Sequence, residues 1–186
     1  MPDTRKVAVI VGSLRKGSFN RMAAKALTEV APEHLRFETI EIGGLQFYNQ
    51  DSEDNPPEPW IMFRDKIRAS DAILFVSPEY NRSMPATIKN AIDVGSRPPS
   101  KNAWKGKPAA IVTVSLGPIG GFGSNHALRQ CCVAVDLACM PQPEAYIGHA
   151  PDLFSDDGAL KKDDTREFFR KFMAAFSKWI EAARNR

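Results

Sequence analysis

No apolar run in the 186 residues approaches the ~20 that a bilayer-spanning helix needs. The segment before the first apolar stretch, residues 1–5, is polar and too short to supply the n-region and h-region of a secretory signal. A cytoplasmic protein without a membrane partner is the expectation. Cysteine is scarce: Cys131, Cys132 and Cys139 are an odd three, with no CxxC spacing and no histidine at ligand distance. That pattern excludes a disulfide framework and a four-ligand zinc site. It leaves reduced, mostly buried small residues and no metal. Charge of one sign is missing too: 25 Lys and Arg against 22 Asp and Glu give a net +3, too little to suggest nucleic acid as a partner. There is no internal repeat and no low-complexity linker, so residues 1–186 read as a single domain, long enough for one sizeable core.

What is present is alternation. Residues 6–11 (KVAVIV), 72–77 (AILFVS) and 108–115 (PAAIVTVS) are nearly all-apolar runs that suit strands buried on both faces. Residues 35–42 alternate apolar with charged and read as a strand nearer an edge, and 145–148 as a short fifth strand. Helical periodicity marks 19–30, with Ser18 or Asn20 as N-cap, then 60–69, 86–94 after Pro85, 125–137, and an amphipathic 165–186. Residues 43–59, with three prolines, read as a long loop. Strands alternating with helices predict an α/β fold: a flavodoxin-like five-stranded parallel sheet, order 2-1-3-4-5, with helices on both faces. Ligands of such sheets sit beyond the carboxyl ends of the strands, where strand order reverses. The loops after the first, third and fourth strands are therefore the candidates.

The first loop, GSLRKGSFN at 12–20, offers Ser13, Arg15, Ser18 and Asn20 ahead of a helix N-terminus. Backbone amides, two hydroxyls and a guanidinium suit a phosphate. The spacing is neither GxGxxG nor a loop ending in GK[ST], which argues for a monophosphate over a dinucleotide or a triphosphate. The second loop, SPEYNRSMP at 77–85, is a stiff segment between two prolines that places Tyr80 and backbone amides at the sheet edge. The third, SLGPIGGFGS at 115–124, has four glycines that let the backbone approach a ligand closely. No GxSxG elbow is present, and His34, His126 and His149 read as surface, cap or interface residues. Six basic residues between Arg82 and Lys107, against Asp93 alone, suggest attraction of an anionic substrate or cofactor.

GSLRKGSFN, PEYNRSMPATIKNAID and GPIGG followed by LRQ together resemble the NAD(P)H-dependent FMN reductases, particularly their bacterial chromate/quinone reductase branch. The resemblance runs from about residue 6 to 146. It implies an enzyme that oxidises NADPH or NADH through bound FMN and reduces quinones, chromate or similar small acceptors, with no catalytic side chain required. It implies that Ser13, Arg15, Ser18, Phe19 and Asn20 hold the FMN phosphate and ribityl chain. Pro78, Glu79, Tyr80, Asn81 and Arg82 would line the isoalloxazine, largely through backbone atoms, and Ser115 and Gly117 would close the other side. Relatives often carry an aromatic residue where Arg82 stands, so Arg82, with Arg97 or Lys101, is expected to meet an anionic substrate. The family also implies a homodimer or homotetramer. The alternative is a flavodoxin-type electron carrier, which the basic isoelectric point near 8.8 disfavours. A phospho-acceptor regulatory domain would need acidic residues where Gly12 and Ser13 stand.

Overall fold

A computed structural model describes residues 3–184, so the expectations that touch residues 1, 2, 185 and 186 lie outside the described residues. The order is β1 (Arg5–Val11), α1 (Phe19–Glu29), β2 (Leu35–Thr39), α2 (Glu58–Ala69), β3 (Ala72–Ser77), α3 (Ala86–Ser96), β4 (Pro108–Val114), α4 (Phe122–Ala134), β5 (Ala138–Cys139), β6 (Ala145–Ile147), α5 (Ala150–Leu153) and α6 (Asp163–Arg184). The strands form one parallel sheet in the order β2-β1-β3-β4-β5, the flavodoxin-like arrangement, with β6 also paired to β4. No described helix is long and apolar enough to cross a membrane.

Side-chain parity divides the core into two layers, because successive strand residues face opposite sides of a sheet. Val7, Val9 and Val11 of β1, with Leu74 and Val76 of β3 and Val112 and Val114 of β4, pack under α1 and α6 against Leu27, Phe169, Phe172, Phe176 and Ile180. Ala8, Ile10, Ile73, Phe75, Ala109 and Ile111 face Trp60, Phe63, Ile67, Ile88, Ala91 and Leu128 of α2, α3 and α4. Full burial of Phe169, Phe172 and Phe176 contributes roughly 1.5–3 kcal/mol each, which anchors α6 across the sheet.

Several boundaries differ from the sequence reading, among them the end of α3 at Ser96, the end of α4 at Ala134 and the start of α6 at Asp163. β2 ends at Thr39 instead of residue 42, its pairing with β1 running from Arg5 opposite Leu35 to Val9 opposite Thr39. Leu35 belongs to the α1/α6 layer, whereas Ile40 and Ile42 turn into the α2/α3 layer. α2 starts two residues earlier than expected, since Pro59 is accommodated in a first turn. α4 starts at Phe122 and not at residue 125, with Gly121 as its left-handed N-cap. The fifth sheet position is divided between two short strands that meet different halves of β4: Ala138 and Cys139 pair with Pro108 and Ala109, and Ala145–Ile147 with Val112–Val114. Pro141 and Pro143 stand in the gap and have no N–H to offer a continuous ladder. The cysteines are free, with Cys132 buried and Cys131 and Cys139 partly so.

Candidate cofactor-binding site

Three loops meet beyond the carboxyl ends of β1, β3 and β4. The first is pinned at its start: the Gly12 N–H donates to the Val76 carbonyl at 2.9 Å, and the Thr87 hydroxyl donates to the Gly12 carbonyl at 3.1 Å. A Cβ at Gly12 would lie 2.5 Å from the Ile88 Cδ1, so only glycine lets α3 approach this closely without a shift. Ser13 is buried and its hydroxyl accepts from the Arg15 amide at 3.4 Å. Ser18 caps α1 by accepting from the Arg21 amide. Asn20 is buried, and its Oδ1 has no hydrogen-bond partner among the described residues. An orphaned amide at a helix N-terminus fits a polar ligand: it can accept from a polyol hydroxyl or, with oxygen and nitrogen interchanged, donate to a phosphate. The Arg15 side chain is exposed and enters no ion pair among the described residues.

The second loop is a tight turn. Tyr80 and Ser83 exchange backbone hydrogen bonds at 2.9 and 3.0 Å, and between them Asn81 and Arg82 take φ of 50° and 67°. Two consecutive left-handed residues make a primed hairpin turn, normally the province of Asn and Gly. The turn's own bonds use the Tyr80 and Ser83 amides and leave those of Asn81 and Arg82 outside it. The Glu79 carboxylate reaches the next helix: Oε2 accepts from the Gly123 and Ser124 amides at 2.7 and 3.3 Å. Ser77, at the end of β3, shares a 3.0 Å hydrogen bond with the buried Ser124 hydroxyl.

The third loop is fastened to the end of the sheet. The Ser115 amide donates to the Ile147 carbonyl at 2.9 Å, and the Ser115 hydroxyl to the Gly117 carbonyl at 2.9 Å. Gly120, at φ 67°, lies so close to the Tyr146 backbone that a Cβ would sit 2.5 Å from its carbonyl carbon. Beyond it the Phe122 ring packs at a tilt against His126 and Tyr146, with centroids 4.1 and 5.5 Å away.

The cleft so formed encloses about 590 Å³ of empty space, part of it open to solvent, within the range of small-molecule sites. Ser13, Arg15, Ser18, Phe19, Asn20, Pro78, Glu79, Tyr80 and Ser115 all stand on its wall. Val114 and Leu116 stand there too, and the sequence reading missed both. Val114 reads only as strand, and Leu116 is an exposed apolar residue in a glycine-rich stretch, a signal that could have found it. Asn81, Arg82 and Gly117 belong to the same loops but not to that wall. Another missed residue is Asn90, which clasps the 43–57 loop: its Nδ2 donates to the Leu45 and Gln46 carbonyls and its Oδ1 accepts from the Tyr48 amide. Its only sequence signal is an amide on the buried face of an apolar helix.

Arg97 and Lys101 are not brought to the cleft. Arg97 is the C-cap of α3, whose N-terminus is the end that faces the site, and its Nε donates to Glu53 at 2.7 Å and Tyr48 at 3.1 Å. Those hydrogen bonds, to Glu53 above all, raise the guanidinium pKa further. The Lys101 carbonyl accepts from Arg68, near the amino end of β4. The basic stretch is thus spread over α3 and the segment leading to β4 and is largely met by the protein: Lys89 pairs with Asp93, Arg97 with Glu53, and Lys107 donates to the Arg68 and Ser70 carbonyls. Arg82 remains beside the cleft, largely exposed and 3.3 Å from Glu79. Among the described residues no three His, Cys, Asp or Glu side chains converge as metal ligands.

A parallel flavodoxin-like sheet carrying a phosphate-type loop, a strained amide-presenting turn and a glycine-rich wall at its switch point defines a flavoprotein of the mononucleotide-binding class. The chain belongs to the NADPH-dependent FMN reductase family, whose pattern matches residues 5–152. It is 56% identical over 185 residues to a quinone reductase of Pseudomonas putida, covering 99% of each chain. It is 42% identical over 179 residues to a 2-hydroxy-1,4-benzoquinone reductase of a Burkholderia species, covering 96% of this chain and 98% of that one. Among solved structures it superposes on FerB, a flavoenzyme NAD(P)H:(acceptor) oxidoreductase from Paracoccus denitrificans, with TM-score 0.91 and 42% identity over 97% of this chain and 99% of that one. Enzymes of this family are oxidoreductases with FMN as cofactor and NAD(P)H as donor.

Proposed function

We propose that the protein oxidises NADPH or NADH through FMN held in the three-loop cleft and reduces small acceptors, quinones first and chromate or similar oxidants second. FMN, held there by the first-loop residues, would supply the redox chemistry of hydride acceptance and acceptor reduction. The observation that carries the reading is the donor set of the first loop. Ser13, Ser18, Asn20 and the unpaired Arg15 offer enough for one phosphate, and because Lys16 is followed by Gly17 the loop lacks the GK[ST] ending that supplies a triphosphate's lysine and metal ligand. Ser13, Ser18 and Asn20 hold the phosphate and ribityl chain, Arg15 neutralises the charge, and Phe19 packs beneath. Pro78, Glu79, Tyr80, Asn81 and Arg82 line the ring, mostly through backbone atoms, with the free Asn81 and Arg82 amides as edge donors. Ser115 and Gly117 form the opposite wall. Arg82, freed of Arg97 and Lys101 as companions, meets the anionic part of NADPH or of an oxyanion acceptor.

The chain acts as one domain in the cytoplasm and associates with itself as a dimer or tetramer. Leu116, Ile119 and Phe122 expose more than half of their surface beside the cleft, and Val133 does so further along α4, which supports self-association on that side. The test is direct: purify the protein, record its visible spectrum, and add NADPH without oxygen. A yellow protein that bleaches and is reoxidised by a benzoquinone is the expected result. A protein that cannot be loaded with FMN ends the reading. A yellow protein that NADPH leaves unbleached makes it an electron carrier of the flavodoxin type.

A further inference from the structure

The helix α4 has no N-terminal cap of its own. Its N-cap is Gly121, which carries no side-chain acceptor and sits at φ 79°. A larger residue is not admitted there: a Cβ would lie 2.9 Å from the Thr113 Cβ, on a backbone that disfavours side chains. The first N–H groups of a helix need an acceptor from somewhere. Here it comes from 44 residues away, as the Glu79 Oε2 takes the Gly123 N–H at 2.7 Å and then the Ser124 N–H at 3.3 Å. The negative charge also faces the positive end of the helix dipole. Oε1 receives the Arg82 guanidinium at 3.3 Å.

The same few atoms fix the neighbouring loop. Glu79 is the residue just before the Tyr80–Ser83 turn, and its side chain is largely buried, with 12% exposure. The Arg82 carbonyl rests against Gly123 so closely that a Cβ there would lie 2.6 Å from the oxygen. Consecutive left-handed residues such as Asn81 and Arg82 persist only where the surroundings over-determine them. The helix end is that surrounding.

We infer that the Glu79 carboxylate is a positioning residue: by capping α4 from the next loop it locks the strained turn in the pose that presents the Asn81 and Arg82 amides to the flavin edge. The inference rests on FMN occupying the cleft as proposed above. It gives the Glu79 side chain a task other than touching the cofactor. A turn held ready in the apoprotein lowers the cost of binding.

The test combines FMN titration of the apoprotein by fluorescence quenching with amide hydrogen exchange in the absence of flavin. Glu79→Ala is expected to raise the FMN Kd about tenfold and to speed exchange at Gly123 and Ser124 about tenfold, the usual weight of a lost helix cap. Glu79→Gln keeps an acceptor oxygen and is expected to stay within about threefold of the wild type in both readouts. Gly123→Ala retains the Glu79 carboxylate, which a Cβ would crowd at 3.1 Å, and displaces the Arg82 carbonyl, which it would meet at 2.6 Å; it is expected to weaken FMN about tenfold and to alter the visible band of the bound flavin. Unchanged exchange in Glu79→Ala overturns the cap. An unchanged Kd in both Glu79→Ala and Gly123→Ala overturns the positioning of the turn, and a Glu79→Gln as weak as Glu79→Ala replaces the hydrogen bonds by a bare charge effect. If Glu79→Ala does not fold, the other two variants carry the decision. A wild type that binds no FMN defeats the proposed function, while the exchange measurement still decides the cap.

Discussion

At the scale of single residues, the cleft separates polar groups already satisfied by the protein from those left for a ligand. The Ser115 hydroxyl already donates to its own loop, whereas Ser18 only accepts as a helix cap and keeps its hydroxyl hydrogen to donate. Arg15 and the Asn20 Oδ1 are unengaged, so they are where phosphate and ribityl recognition should be concentrated. Arg15→Ala is expected to weaken FMN by about ten- to a hundredfold, the range of a charge-assisted hydrogen bond, and fluorescence titration of the apoprotein measures it. Because the side chain is exposed, the thermal stability of the apoprotein should stay within a degree or so. Arg82 is a different case: its ion pair with Glu79 is solvent-facing and weak, leaving the cation available. Arg82→Ala should raise the KM for NADPH severalfold with kcat little changed, and steady-state kinetics with KM values at the wild-type level would remove Arg82 from anion recognition.

At the scale of elements, the strands buried on both faces were the most legible part of the chain. The runs that became β1, β3 and β4 were bounded to within a residue, because continuous apolar stretches admit few other readings. The helix α1 was equally clear, since its capping serine and its periodicity agree. What could not be read was long-range. The N-terminus of α4 depends on a glycine in the left-handed region and on a carboxylate from another loop, so its local sequence looked like loop for three more residues. Likewise, the basic run after Arg82 looked like a patch because Glu53, its partner at Arg97, lies in the proline-rich 43–59 segment that carries no periodicity. Two glycines test how tightly these elements are fitted. Gly95 closes the last turn of α3 over the Trp104 indole, where a Cβ would lie 2.5 Å from Nε1. Gly95→Ala should cost about 1–3 kcal/mol and lower the melting temperature by roughly 2–12 °C. Gly120→Ala combines positive φ with a backbone clash at Tyr146. It should loosen the third loop, weakening FMN more than it lowers the melting temperature, and the two measurements on one preparation check this.

At the scale of the whole molecule, charge pairs join parts distant in sequence. Arg5 of β1 holds Glu181 of α6 through two hydrogen bonds, at 2.7 and 3.0 Å. Arg21 of α1 holds Glu41, and Tyr48 with Arg97 holds Glu53. Each of these carboxylates is pulled below its ordinary value by those hydrogen bonds. A carboxylate whose pKa is lower in the folded state stabilises the fold above its unfolded value, near 4.5, and loses that contribution as pH falls through the folded value. Melting temperature should therefore be level from neutral pH to about 5 and decline below about 4.5. Because the pairs are partly exposed, each contributes little and salt should flatten the decline, which a calorimetric series at two ionic strengths would reveal.

The divided fifth strand bears on the company the protein can keep. An open sheet offers a margin at each side where a foreign strand could add itself, and such margins are where fibrils and sticky aggregates begin. One margin here is broken into pieces of two and three residues with prolines between them. The other, β2, is five residues long and turns Arg36 and Glu38 outward. Both are poor templates for strand addition. The self-association proposed above would then run through side-chain surfaces such as the apolar rim of the cleft, and not through shared backbone, so assembly and protection from aggregation need not compete.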